Sequence, residues 1–242
     1  MVDQIRSAVF LFFTILTTFI GSVIAIIAGL FNPYGTVVNG IIRNWAKFLL
    51  WVAGTKIEVS GLEKLDLSQP YIFMANHQSN FDILALSANI PGTSRYIAKK
   101  ELFKVPFFGL GMKLAGIIKI NRSNKEEAKE SINKDAIERI NKGVSVIIFP
   151  EGTRSRDGKI HPLKKGGIIL AIEGGIPTVP TVLSGTFHIM NKSSLKLKKG
   201  RIKLDFLDPI ATDKYTYEDR NTLTELVYQK LTSVFDPEFN KH

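Results

Sequence analysis

Cysteine is absent from the chain, which excludes disulfides, thiolate nucleophiles and cysteine-held metal or iron–sulfur centres. Histidine is scarce. His77, His161, His188 and His242 are the whole supply, and none stands at a metal-ligand spacing from another histidine or a carboxylate, so no metal is expected. Acidic residues are in deficit, 22 against 32 basic ones, for a formal charge of +10. Such a chain seeks anions: nucleic acid, anionic lipid or anionic small molecules. Its lysines are scattered and no aromatic–basic platform accompanies them, so nucleic acid is not an expected partner. Internal repeats, low-complexity tracts and a Gly-x-Ser-x-Gly elbow are also missing.

Charge is missing altogether between Ala8 and Phe31. As a helix this run is roughly 36 Å long, enough to cross a bilayer. A cleaved signal peptide does not fit, because the apolar core is too long and no small-x-small site follows it. Asn32-Pro33-Tyr34-Gly35 reads as a turn. Val37 to Val52 reads as a second, amphipathic helix, with Ile41, Ile42, Trp45, Leu49 and Val52 on one side and Arg43 and Lys47 on the other. Both tryptophans, Trp45 and Trp51, fall here, as at a membrane interface. Spanning back would put Arg43 and Lys47 in hydrocarbon at a cost of kcal/mol each. Residues 1–55 are therefore expected to form a two-helix membrane-binding motif, with the second helix in the interface. Phe12, Phe13, Phe19, Arg43, Trp45, Lys47 and Trp51 are its lipid-contacting candidates. A single span and a one-leaflet hairpin both remain open.

Residues 56–242 alternate between strand and helix patterns. Lys56–Ser60, Tyr71–Met74, Arg95–Ala98, Gly116–Arg122, Val144–Phe149, Ile176–Val182 and a more exposed Arg201–Phe206 read as strands. Ser123-x-x-Glu126 opens a scaffold helix with Ala128, Ile132, Ala136 and Ile140 inward. The pair Val105-Pro106 interrupts a helical stretch, and Phe107 and Phe108 after it read as core, or else as lining a path for an acyl chain. A final amphipathic helix covers Thr216–Phe235. The alternation predicts an α/β fold: a three-layer, mainly parallel sheet with helices on both faces.

Polar clusters follow the strands. His77 and Asp82 come after the first apolar one, at a strand-to-helix seam; Asp82 also stands where a helix-capping acid would. Lys100 follows the next, then Arg122, then Glu151-Gly152-Thr153-Arg154 after the most apolar strand. In a parallel sheet these carboxyl ends share one edge, where ligands bind. A histidine can move a proton near neutral pH, a neighbouring carboxylate can fix its tautomer, and arginine offers a planar fork for phosphate. That points to chemistry on an anionic substrate beside a membrane.

These residues resemble the glycerolipid acyltransferase family, in particular its bacterial 1-acylglycerol-3-phosphate branch. His77 and Asp82 match its His-four-residues-Asp block. Gly116 through Arg122 resembles the second block, Phe149-Pro150-Glu151-Gly152-Thr153-Arg154-Ser155 matches the third, and Val179-Pro180 resembles the fourth. The resemblance covers roughly residues 70 to 183. It implies transfer of an acyl group from acyl-CoA or acyl-carrier protein, as co-substrate and without a cofactor, to the 2-hydroxyl of lysophosphatidic acid. It implies His77 as general base, Asp82 as its orienting partner, donors near Gly152 for the oxyanion, and Arg122, Arg154 and Lys100 as phosphate ligands. Glu151 would orient those cations or the acceptor, and Val179 and Pro180 would belong to the acyl pocket. The domain would sit on the cytoplasmic face of an inner or plasma membrane. The same features admit another lysolipid or glycerol 3-phosphate as acceptor, or a non-catalytic module that binds anionic lipid.

Overall fold

The computed structural model describes residues 2–121 and 134–240. Arg122 and the Ser123-x-x-Glu126 capping box lie outside the described residues, as do Ala128 and Ile132. Two helices come first, α1 (Val2–Phe31) and α2 (Thr36–Val52). The rest of the chain runs β1 (Lys56–Ser60), β2 (Ile72–Ala75), α3 (Phe81–Asn89), β3 (Ser94–Lys99), α4 (Phe108–Leu114), β4 (Ile118–Ile120), a helix α5 over 134–141, and β5 (Ser145–Ile148). Then come α6 (Gly166–Gly174), β6 (Thr178–Ser184), α7 (Thr186–Ile189), β7 (Arg201–Phe206) and α8 (Arg220–Val234).

The seven strands make one sheet in the order β1-β7-β6-β2-β5-β3-β4. Strands β6, β2, β5, β3 and β4 are mutually parallel. Strand β7 joins β6 antiparallel and β1 joins β7 parallel, so this edge pair runs the other way. The expected α/β architecture is what forms, with helices on both faces. Strand β7 differs from expectation: pairing on both sides leaves it mostly buried rather than exposed.

Alternation of side chains across the pleat sorts the core into two layers. On one face, Phe73, Ala75 and Ile147 meet Leu49 of α2 and Leu84 of α3. On the other, Ile72, Met74, Val146 and Ile148 meet Ala136 of α5, Ile168 of α6 and Leu223, Val227 and Leu231 of α8. Burial on both faces is why β2 and β5 carry unbroken apolar runs.

Helix α1 buries only Phe10, Ser22, Ala25 and Gly29. Phe12 and Phe19 are exposed, as are Ile15, Ile27 and Leu30. The hydroxyls of Thr14, Thr17 and Ser22 donate to the carbonyls of Phe10, Phe13 and Thr18, which hides them from an apolar medium. Helix α2 is packed more deeply than an interfacial helix would be, with Val38, Ala46 and Leu49 inaccessible. Arg43 and Trp45, expected to meet lipid, turn to the protein instead. Arg43 donates to the Ile90 carbonyl at 2.7 Å, and the Trp45 indole donates to Thr18 Oγ1 at 3.2 Å. Phe13 is half-buried against Phe48. Lys47 and Trp51 remain exposed.

One residue ties this hairpin to the sheet. Arg95 of β3 is 1% exposed. Its guanidinium donates to the Pro33 carbonyl at 2.6 Å, to Asn39 Oδ1 at 2.7 Å, and to the Ala115 carbonyl. Burial lowers its pKa to about 10.

Candidate active site

Strand β2 ends at Ala75, and the next residue locks the turn. The Asn76 side chain donates to the Leu183 carbonyl at 2.9 Å and accepts the Leu183 N–H at 2.8 Å, stitching the turn to β6. His77 follows. Its Nδ1 lies 2.8 Å from Asp82 Oδ2, in the first turn of α3. The same oxygen accepts the backbone N–H groups of Gln78 (2.6 Å) and Ser79 (2.8 Å). The capping arrangement and the His–Asp pair are therefore one structure: the amide donors fix the carboxylate, and the carboxylate fixes the ring. Asp82 is inaccessible, whereas the His77 side chain keeps 14% exposure. With Nδ1 donating to Asp82, Nε2 carries the lone pair, and it has no hydrogen-bond partner among the described residues. Ser79 is occupied structurally, its hydroxyl donating to the Met190 carbonyl.

The turn after β5 docks on this loop. Glu151 is 5% exposed. One of its oxygens accepts the His77 N–H at 2.7 Å and the other accepts the His161 N–H at 2.9 Å. The His77 carbonyl in turn accepts the Ser155 N–H at 2.8 Å. The expected role of Glu151, orienting the cations or the acceptor, is not what its contacts show. Both oxygens are spent on backbone amides, and it holds two loops together. Burial raises its pKa to about 7, against the opposing pull of those two hydrogen bonds.

Gly152 adopts φ +76°, and a Cβ there would lie 2.8 Å from the Lys164 ammonium. Its N–H donates to the Phe149 carbonyl, so it is not a free oxyanion donor. Among the described residues, the amides of Thr153 and Arg154 find no backbone acceptor. A residue that sequence patterns did not flag completes the rim. Lys192 Nζ donates to Thr153 Oγ1 at 2.7 Å and lies 3.3 Å from the Arg154 carbonyl. Its pKa is lowered by desolvation and by the positive charges of Arg156, Arg154 and Lys99. Among the described residues, no carboxylate pairs with any of these four cations. Lys192 lies more than 100 positions beyond His77, on a loop without a motif, so only folding could reveal it. Lys99, the last residue of β3, belongs to this cluster, while Lys100 opens the short 3-10 turn that follows and has no contact placing it there.

An apolar cavity lies against α3, reached by Ile83, the residue after Asp82. It is lined by Gly21 and Ala25 of α1, Trp45 of α2, Ile83 of α3, Ala98 of β3 and Phe108 of α4. Val179 and Pro180, expected in an acyl pocket, do not line it. Strand β6 is buried along its whole length between β2 and β7, so both residues are core. Pro180 is tolerated in this interior strand because β7 pairs with β6 only from Thr181 onward.

The site thus combines an imidazole held at a strand end by Asp82 with a cluster of cations on the neighbouring loops, and Ile83, the residue after Asp82, lines an apolar cavity. The chain belongs to the Acyltransferase family, whose model matches residues 56–184. A 1-acyl-sn-glycerol-3-phosphate acyltransferase of Cocos nucifera is 38% identical over 197 residues, spanning 81% of this chain and 61% of that one. The alpha form of the same enzyme from Homo sapiens is 32% identical over 195 residues, spanning 81% and 69%. The match thus covers about two thirds of the length of these relatives. The crystal structure of PlsC, the 1-acyl-sn-glycerophosphate acyltransferase of Thermotoga maritima, superposes with a TM-score of 0.78 over 96% of this chain and 97% of that one, at 24% identity. It shares the fold.

Proposed function

We propose that this chain transfers an acyl group from a thioester, carried by CoA or acyl-carrier protein, to the 2-hydroxyl of 1-acylglycerol 3-phosphate, yielding phosphatidic acid. The observation that carries the reading is the His77–Asp82 pair, in which Nε2 has no hydrogen-bond partner among the described residues. The names of the relatives support the acceptor.

In the proposed reaction the acceptor hydroxyl gives its proton to His77 Nε2 as its oxygen attacks the thioester carbonyl. Asp82 stabilises the imidazolium across the 2.8 Å contact. The amides of Thr153 and Arg154 are candidate donors to the oxyanion. The C–S bond then breaks, and the leaving thiolate takes the proton back from His77. Arg154, Arg156, Lys192 and Lys99 bind the acceptor phosphate, with Arg122 assigned to the same role by resemblance alone. The apolar cavity takes an acyl chain. Residues 1–55 serve as the membrane anchor of a catalytic domain formed by 56–242, through the exposed apolar face of α1, with Lys47 and Trp51 at the surface and the domain on the cytoplasmic side. Among the described residues α1 is the one helix long and apolar enough to cross a membrane.

The test is reconstitution. Purified protein receives 1-acylglycerol 3-phosphate with acyl-CoA or with acyl-carrier protein, and the lipid product is identified by mass spectrometry. Phosphatidic acid is expected. No product from either donor, or equal rates with a neutral monoacylglycerol, would refute the reading.

A further inference from the structure

The turn between β3 and α4 exposes four large apolar residues within nine positions: Leu102 (43%), Val105 (46%), Phe107 (54%) and Leu110 (49%). From the sequence, Phe107 is expected in the core or along a path for an acyl chain. The backbone sends it the other way. Phe107 holds φ +59° and ψ −53°, and the Phe108 N–H reaches the Pro106 carbonyl at 2.6 Å. This is a γ-turn with positive φ at a bulky residue, a conformation that costs about 1–3 kcal/mol and persists only where its surroundings enforce it. Its effect is to aim the Phe107 ring outward, edge-on to Phe19 of α1 at 5.2 Å. Phe19 is itself half exposed, so the two rings make one continuous apolar surface.

The turn cannot drift from α1. A Cβ on Gly111 of α4 would lie 3.1 Å from the Ser22 side chain, and one on Gly29 of α1 would lie 2.3 Å from the Leu114 carbonyl. The helices meet backbone to backbone. The chain flanking the apolar tip carries Lys100, Lys104 and Lys113 against a lone acid, Glu101, and none of these lysines is in an ion pair among the described residues. An apolar tip flanked by unpaired cations fits an anionic bilayer surface, where rings enter the acyl boundary and ammonium groups meet headgroups.

We propose that the Val105–Leu110 turn is a second membrane-inserting element, entering an anionic leaflet alongside α1. The proposal rests on the membrane reading of α1 and adds to it. Leu102, three residues before the turn, and Phe108, within it, line the apolar cavity, so insertion places the cavity wall against lipid.

The absence of native cysteine makes the test direct. Three full-length variants, Phe12→Cys on α1, Phe107→Cys on the turn and Gln229→Cys on α8, each carry one polarity-sensitive fluorophore. They are mixed with vesicles of phosphatidylglycerol and phosphatidylethanolamine that contain lipids spin-labelled on the acyl chain. Quenching at 12 and 107, with none at 229, is expected. Quenching at 12 without quenching at 107 overturns the proposal and leaves the α1 reading standing. No vesicle binding at all defeats both. A 107 probe that turns apolar without lipid, as protein concentration rises, assigns the patch to a second copy and overturns the proposal. A functional arm uses Phe107→Ser with Leu110→Ser. The rate on a vesicle-embedded acceptor should fall roughly tenfold, while the rate on a short-chain monomeric acceptor is unchanged. Equal losses on both acceptors, or none on either, would count against it.

Discussion

The imidazole of His77 lies flat on the phenyl ring of Phe149, with centroids 3.9 Å apart and planes 13° from parallel. Tyr96 continues the column at 6.1 Å, and its hydroxyl donates to the carbonyl of Ile83, next to Asp82. The ring is thus clamped on a face by Phe149, the residue that follows β5, and at its Nδ1 edge by α3, through Asp82.

On the proposed mechanism, replacing His77 or Asp82 should abolish chemistry without unfolding the protein. His77→Ala is expected to lower kcat by about 10²–10⁴-fold, with a near-native urea midpoint because the ring is partly solvent-facing. Asp82→Asn keeps an acceptor for the Gln78 and Ser79 amides but not the charge that stabilises an imidazolium, so kcat should fall while far-UV circular dichroism is retained. Phe149→Leu preserves apolar volume and loses the stack; its kcat should fall less than in either of these, at unchanged KM. A Phe149→Leu loss equal to that of His77→Ala would mean the loop had collapsed.

Glu151 predicts a pH dependence of stability. Its pKa is about 7 in the fold against an ordinary 4.5, so the folded state holds the proton more tightly than the unfolded chain. The resulting stabilisation is complete below pH 4.5 and disappears as pH rises through 7. It is worth up to about 3 kcal/mol at 1.36 kcal/mol per unit. Urea midpoints between pH 4.5 and 8 should decline across this window in the wild type and decline less in Glu151→Gln. Parallel curves would remove Glu151 as the source.

The cation cluster predicts how acceptor use responds to mutation. Arg154→Ala and Lys192→Ala should each raise KM for the phosphorylated acceptor, by roughly tenfold or more for a lost charged hydrogen bond. A neutral acceptor should be nearly unaffected. Lys192 also props the 151–154 turn through Thr153 and the Arg154 carbonyl. Lys192→Arg should therefore restore KM, whereas a purely structural lysine would show losses with both acceptors.

Arg95 predicts a stability effect far from the chemistry. Arg95→Leu leaves the Pro33 and Ala115 carbonyls and Asn39 Oδ1 without their donor, at about 3–5 kcal/mol for a dismantled buried network. Limited proteolysis should cut first in the 32–35 turn. A single global transition with no early cut there would show that the hairpin is held mainly by apolar packing.

Much of the fold was legible because its signals are local. The apolar runs at β2 and β5 and the uncharged length of α1 each report their own structure. The direction of β7 was not legible, because antiparallel pairing with β6 depends on what lies beside a strand and not on its own residues. Arg43 and Trp45 looked like interface residues by spacing alone; contacts with Ile90 and Thr18, 47 and 27 positions away, turned them inward. Phe107 looked like core because it is aromatic, and a γ-turn overruled that.

Sequence by itself determined the chemical inventory: a lone histidine with an acid five residues on, glycine where only a left-handed backbone fits, and an excess of cations. Those are properties of residue types and short spacings. Tertiary structure alone decided which groups share a site. It gave Glu151 to two loop amides, brought Lys192 beside Arg154, and left Val179 and Pro180 in the core. Such partnerships join residues from separate strands and loops, and their distances are set by how the sheet packs, which no local spacing encodes.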